Sequence, residues 1–69
     1  MKITTPMTPE QGEQIRLARQ SAGLTQAKLA WCADTTASAL SHIESGTPQS
    51  IPALERVCAY LKIELEVSK

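Results

Sequence analysis

Ser38, Ser41 and His42 are small polar side chains spaced three and four apart. On a helix they share one face, where two hydroxyls and an imidazole can donate and accept hydrogen bonds outward. Leu40 and Ile43, three apart, fall on another face of the same segment. A short helix with an apolar back and a small polar front, set after another helix and a tight turn, suits the major groove of DNA. Other chemistries are poorly supplied. Cys32, His42 and Cys58 match no zinc-ligand spacing. There is no nucleophile with a matching base and no phosphate-cradling glycine loop, so nothing points to an enzyme and no cofactor is expected.

The polar face must be held by helices, and the sequence marks where these start and stop. Pro6 and Pro9 bracket a turn; Thr8 is an N-cap candidate with Pro9 at the first helical position and Glu10 and Glu13 near the positive end of the dipole. That first helix turns Ile15 and Ala18 inward and ends at Gly23, with Leu24 just beyond. Thr25 can cap a second helix whose Leu29, Ala30 and Ala33 lie on one face. Asp34 sits where the chain must turn sharply, and it tolerates a left-handed backbone better than most residues. Thr36 can cap the third helix, which Gly46 stops in the left-handed conformation. Ser50 can cap a fourth, with Pro52 in its first turn and Leu54, Val57, Cys58 and Leu61 forming a core face. The expected helices cover about residues 9–21, 26–33, 37–44 and 52–61.

A chain of 69 residues is one domain, near the lower limit at which a core alone holds a fold. With one Trp, one Tyr and no Phe, that core must be Leu, Ile, Val and Ala. Two cysteines make no disulfide framework, and no apolar run or signal-peptide pattern is present, so free thiols, no membrane and a cytoplasmic setting are expected. The net charge is zero, seven basic against seven acidic. This argues mildly against DNA binding, since phosphate neutralisation supplies much of the affinity. The counter-argument is distribution: Lys2, Arg16, Arg19 and Lys28 lie early, and Glu55, Glu64 and Glu66 late, so a basic face and an acidic one can coexist.

G-L-T-Q-x-x-L-A, then T-T-x-x-x-L-S-x-I-E-x-G, resembles the helix-turn-helix domain shared by lambdoid phage repressors, Cro proteins and bacterial XRE-type regulators, over about residues 13–61. The resemblance implies an all-α, compact four-helix lambda-repressor-like domain that binds double-stranded DNA. It implies that Thr36, Ala37, Ser38, Ser41 and His42 face the groove. Relatives often carry Gln, Arg or Asn at these places; here Thr36 and Ala37 suit thymine methyls, Ser38 is permissive, and His42 can donate to a guanine or a phosphate. It further implies that Gln26, at the start of the second helix, bonds a phosphate, with Lys28 one turn on able to reach the backbone. The loop with Thr47 and Gln49 would donate main-chain N–H groups to the DNA backbone, Pro48 removing one donor. Arg19 would pair with Glu44 and lock the first helix to the third. Arg16 stands between a phosphate contact and plain solubility. The family register puts Trp31 and Cys32 on solvent-facing positions, where Trp31 either folds over a gap at the first or fourth helix or anchors a protein partner.

The tail departs from the phage pattern. Ile63, Leu65 and Val67 alternate with Lys62, Glu64, Glu66 and Ser68, which reads as a half-buried strand over 62–69 following a DNA-binding domain at 1–61. A lone strand cannot satisfy its backbone, so it needs a partner. One candidate is Lys2 to Thr5, which has weak strand character; the other is the same strand of a second copy, antiparallel about a two-fold axis. The second is preferred, because a palindromic operator calls for a symmetric dimer. Ile63, Leu65 and Val67 are then dimerisation residues. A domain ending this way resembles HipB-type antitoxins, which dimerise through a C-terminal strand and bind a kinase-like toxin. The reading is therefore a homodimeric repressor, bacterial or phage-encoded and nucleoid-associated, acting as the autoregulating antitoxin of a HipBA-like system. The alternatives are a phage or plasmid Cro-like regulator with no toxin partner, and an antitoxin acting mainly by protein binding.

Overall fold

The computed structural model describes residues 2–67; the Ser68 and Lys69 end of the expected strand lies outside them. The order is β1 (Lys2–Thr4), α1 (Pro9–Ser21), α2 (Gln26–Cys32), α3 (Ala37–Glu44), α4 (Ile51–Leu61) and β2 (Glu64–Glu66). Each helix starts on a hydroxyl that accepts from the N–H three residues on: Thr8 from Gln11, Thr25 from Lys28, Thr36 from Ala39 and Ser50 from Ala53, at 3.1–3.3 Å. At α1 the Gln11 side chain returns the bond to the Thr8 N–H, closing a capping box. α2 ends at Cys32, with Ala33 as its cap, and α4 begins at Ile51, each one residue from the expected bound.

All four helices stop the same way. The residue in the left-handed region is Gly23, Asp34, Gly46 and Lys62 in turn. The N–H beyond it reaches back to the carbonyl five residues earlier: Leu24 to Arg19, Thr35 to Ala30, Thr47 to His42 and Ile63 to Cys58, at 2.8–3.2 Å. This is the Schellman arrangement, which satisfies carbonyls that a helix end would orphan.

The core joins every element. Ile3, Ile15, Leu29, Leu40, Ile43, Leu54, Val57 and Cys58 are completely buried, and burial pushes the Cys58 thiol up to about 11, so it serves as a small apolar side chain. α1 lies most closely on α3. Their crossing passes at Gly12, where a Cβ would stand 2.5 Å from the Glu44 carbonyl oxygen and 2.6 Å from the Gly46 nitrogen.

The expected strand is present but shorter, Glu64–Glu66, because Lys62 serves as the left-handed cap of α4, and within the chain it lies beside the first of its two candidate partners. β2 pairs with β1 of the same chain, in parallel, with Lys2 opposite Glu64, Ile3 opposite Leu65 and Thr4 opposite Glu66. The Thr5 N–H donates to the Glu66 carbonyl at 3.0 Å, and Lys2 pairs with the Glu66 carboxylate at 3.0 Å. The physical reason is the core: Ile3 is fully buried in the same cluster as Ile63, which draws the N-terminal segment alongside the end of the chain. Ile63, expected at a dimer surface, is buried because the end of α4 directs it inward; Leu65 is half-buried against the core and Val67 is exposed.

Candidate nucleic-acid interface

α2 and α3 are joined by the three-residue link from Asp34 to Thr36 after the Ala33 cap, and α3 is divided cleanly between core and solvent. Leu40, Ile43 and Glu44 are buried; Ala37, Ser38 and Ser41 are exposed; His42 is half-buried, and Ala39 packs against the core. The exposed face is thus built of a methyl and two hydroxyls with the imidazole at its flank. Thr36 is exposed, and its oxygen is engaged in capping α3, which leaves its methyl and its hydroxyl hydrogen for an outside partner.

Two features hold α3 in place. At its C-terminal end, the Thr47 N–H and hydroxyl both point to the His42 carbonyl, at 2.9 and 3.4 Å. The N–H that the resemblance assigns to the DNA backbone at Thr47 is therefore already taken by the end of the helix. Gln49 is exposed and Pro48 half-buried. On the core side, Arg19 donates to Glu44 from Nε at 2.6 Å and from Nη2 at 3.3 Å, and Nη1 donates to the Leu24 carbonyl at 2.7 Å. Both residues of this fork-shaped pair are more than nine-tenths buried. It fastens α1 and the α1–α2 turn to the last turn of α3.

Gln26 joins the same group: its Nε2 donates to Glu44 Oε1 at 3.0 Å. Nothing in the residue pattern announces this bond, because the two positions are brought together only by the fold. Lys28 lies over the Trp31 ring, its ammonium 5.2 Å from the centroid; here an i,i+3 spacing on a helix was a readable signal. Trp31 folds over no gap: it is 78 % exposed. Cys32 is half-buried beside Tyr60 of α4, whose hydroxyl it holds above the usual phenol range by hydrogen bonding.

The early basic residues do not form an open cationic face. Lys2 is paired with Glu66, Arg16 with Glu13 through both Nε and Nη2, and Arg19 with Glu44. The Arg16 pairing favours the solubility reading over the phosphate reading, and Glu13 is held below the usual carboxylate range by that guanidinium. Among the described residues, Lys28, Arg56 and Lys62 have no carboxylate partner, and Arg56 sits 3.5 Å from the Asp34 carbonyl oxygen.

No helix among the described residues is long and apolar enough to cross a membrane. No curated protein matches the chain. The family model described as a helix-turn-helix domain matches residues 10–67, which takes in α1 from its second residue, the other three helices and β2. With a capped second helix, a three-residue turn and a third helix locked on one face and open on the other, the chain belongs to the helix-turn-helix domain family of DNA-binding regulators, in its XRE/Cro-like type.

Proposed function

We propose that the protein is a sequence-specific transcriptional repressor that binds a palindromic operator as a homodimer, in the cytoplasm, on the nucleoid. Thr36, Ala37, Ser38, Ser41 and His42 read base edges, while Gln26, Lys28 and Gln49 position the domain on the backbone; Thr47, whose N–H and hydroxyl both go to the His42 carbonyl, holds the loop to the end of α3. The observation that carries this is the division of α3: its rear is buried and bolted to α1, and its exposed face holds only side chains small enough to let the helix approach the groove floor. Direct readout is modest, because no side chain on that face makes a bidentate purine contact, so groove shape supplies part of the specificity. The dimer is supported by the sheet. A two-stranded ribbon is marginal alone, and exposed Val67 with half-buried Leu65 leaves an apolar row that a second copy can cover along the outer edge of β2.

The test is fluorescence anisotropy with duplex DNA from upstream of the protein's own gene, across a salt series. Two chains per duplex are expected. Because most cations near the site are already paired, log K against log[salt] should be shallow, with a slope of about −2 to −4 for the dimer. Ser38→Glu should weaken binding at least ~100-fold while leaving the melting temperature unchanged, since a carboxylate would face acceptors and phosphates. Unchanged affinity would remove α3 from the reader's role, and one chain per duplex would remove the dimer.

A second reading has one observation in its favour, the exposure of Trp31 beside Lys28. A large, rigid ring left in solvent is a typical anchor for a protein partner. In this reading the protein is an antitoxin that holds a kinase-like toxin, with DNA autoregulation alongside. Trp31→Ala should then keep DNA affinity within about two-fold and abolish co-purification with a toxin encoded next to it. Equal loss of DNA affinity would count against it, and a chain that co-purifies with no such neighbour is a Cro-like regulator instead.

A further inference from the structure

The Gln26 amide is not free to turn. Its Nε2 sits 3.0 Å from Glu44 Oε1, the same oxygen that accepts from Arg19 Nη2 at 3.3 Å, while Arg19 Nε takes the other oxygen at 2.6 Å. An ionised carboxylate only accepts, so the NH2 end of the amide must face it. One amide hydrogen is consumed inside the protein, and the second hydrogen and the amide carbonyl are left at the rim. Glu44 is 9 % exposed and Gln26 half-buried, so the anchor is dry and the far side of the amide is wet. Glu44 itself cannot move, because Arg19 holds both of its oxygens and is tied in turn to the Leu24 carbonyl.

We propose that Glu44 is a positioning residue for the backbone contact of Gln26: the buried carboxylate presets the amide so that its remaining N–H meets a phosphate oxygen without a side chain having to be ordered on binding. This rests on the DNA-binding reading above. The Arg19–Glu44 pair then has two tasks, holding α1 against α3 and aiming a neutral donor from α2. Ordering a glutamine side chain on binding weakens affinity by roughly 3- to 10-fold per chain, which sets the size of the effect.

The experiment is a four-protein cycle on a mixed-sequence DNA duplex, suitable because a phosphate contact is blind to sequence. The proteins are the wild type, Gln26→Ala, the double variant Arg19→Met with Glu44→Leu, and all three changes together. The double variant removes the anchor without leaving a buried charge alone, and its fold is checked by thermal melting. In the wild-type background Gln26→Ala should weaken binding about 3- to 10-fold for each chain bound. In the double background it should have no further effect. The salt slope should not change, since neither change alters the net charge. A merely structural role for the pair would not produce this non-additivity. Equal weakening in both backgrounds would overturn the role of Glu44 and leave Gln26 as a contact. No weakening in the wild type would overturn both. Absence of any duplex binding by the wild type would overturn the DNA reading itself. If the double variant fails to fold, Gln26→Asn serves: the amide is kept but is one methylene too short to span Glu44 and a phosphate. The Gln26→Asn variant should then bind as weakly as Gln26→Ala, and full affinity would overturn the proposal.

Discussion

Glu44→Leu in a chain that keeps Arg19 is expected to lose about 3–5 kcal/mol of stability. Arg19 is 8 % exposed, and its Nε and Nη2 both donate to the carboxylate that the change removes. The Leu24 carbonyl, at 2.7 Å from Nη1, stays in place but replaces neither of the lost acceptors. A domain of this size has roughly 3–10 kcal/mol in all, and each kcal/mol moves its melting temperature by about 4–8 °C, so the midpoint should fall by roughly 12–40 °C. The Gln26 amide loses its acceptor at the same time, which adds to the loss without changing its sign. Arg19→Met together with Glu44→Leu should recover most of the deficit, because a well-packed apolar pair in place of a buried ion pair is often neutral or better. Differential scanning calorimetry of the two variants decides it. A single variant within ~1 kcal/mol of the wild type would mean that water reaches the guanidinium, and the pair could not then be what fastens α3.

Gly12→Ala is the second large effect, and its sign runs against local expectation. In an open helix interior, replacing glycine by alanine stabilises by up to about 1 kcal/mol. Here the added methyl would lie 2.5 Å from the Glu44 oxygen, 2.6 Å from the Gly46 nitrogen and 2.8 Å from the Glu44 carbonyl carbon. All three are backbone atoms, and Gly46 is itself pressed against Thr8 and Pro9, where a Cβ on it would meet atoms at 2.7–2.8 Å. The helices must separate by the better part of an ångström, which loosens the Arg19–Glu44 fork about two turns along α1. A net loss of about 2–3 kcal/mol is expected by urea unfolding. Gln14→Ala, on an exposed position of the same helix, should stay within about 0.5 kcal/mol. Equal stability for Gly12→Ala would show that α1 rides over α3 with room to spare.

What the residues announced was mainly local. Thr8, Thr25, Thr36 and Ser50 are caps because a hydroxyl can reach the N–H three residues on, and that reach lies within one turn of chain. Gly23, Asp34 and Gly46 end helices for a reason of backbone conformation that is equally local, and the helical spacing of Leu40 with Ile43 placed the buried side of α3. Gly12 left a faint sign, since an interior helical glycine often marks a close approach, but nothing in the sequence said what approaches. The partner of β2 was not legible. Alternation tells which side of a strand is buried and is silent on whose backbone lies beside it. The pairing of Lys2 was likewise hidden, because Glu66 lies at the other end of the chain, whereas that of Arg16 with Glu13 had a readable i,i+3 spacing on one helix. The reach of Gln26 to Glu44 needed the whole α1–α3 junction to be in place.

The β1–β2 ladder also bears on the order in which the molecule assembles. Each helix is closed by bonds spanning three to five residues, and contacts of that kind form early because little chain entropy is lost. Ile3 and Leu65 meet only when nearly the entire chain has been folded back. The sheet is therefore a clasp, fitted after the four helices have found one another. Its opening would uncover the seat of Ile3 and free both strands, while the caps, the fork at Glu44 and the open face of α3 stay as they are.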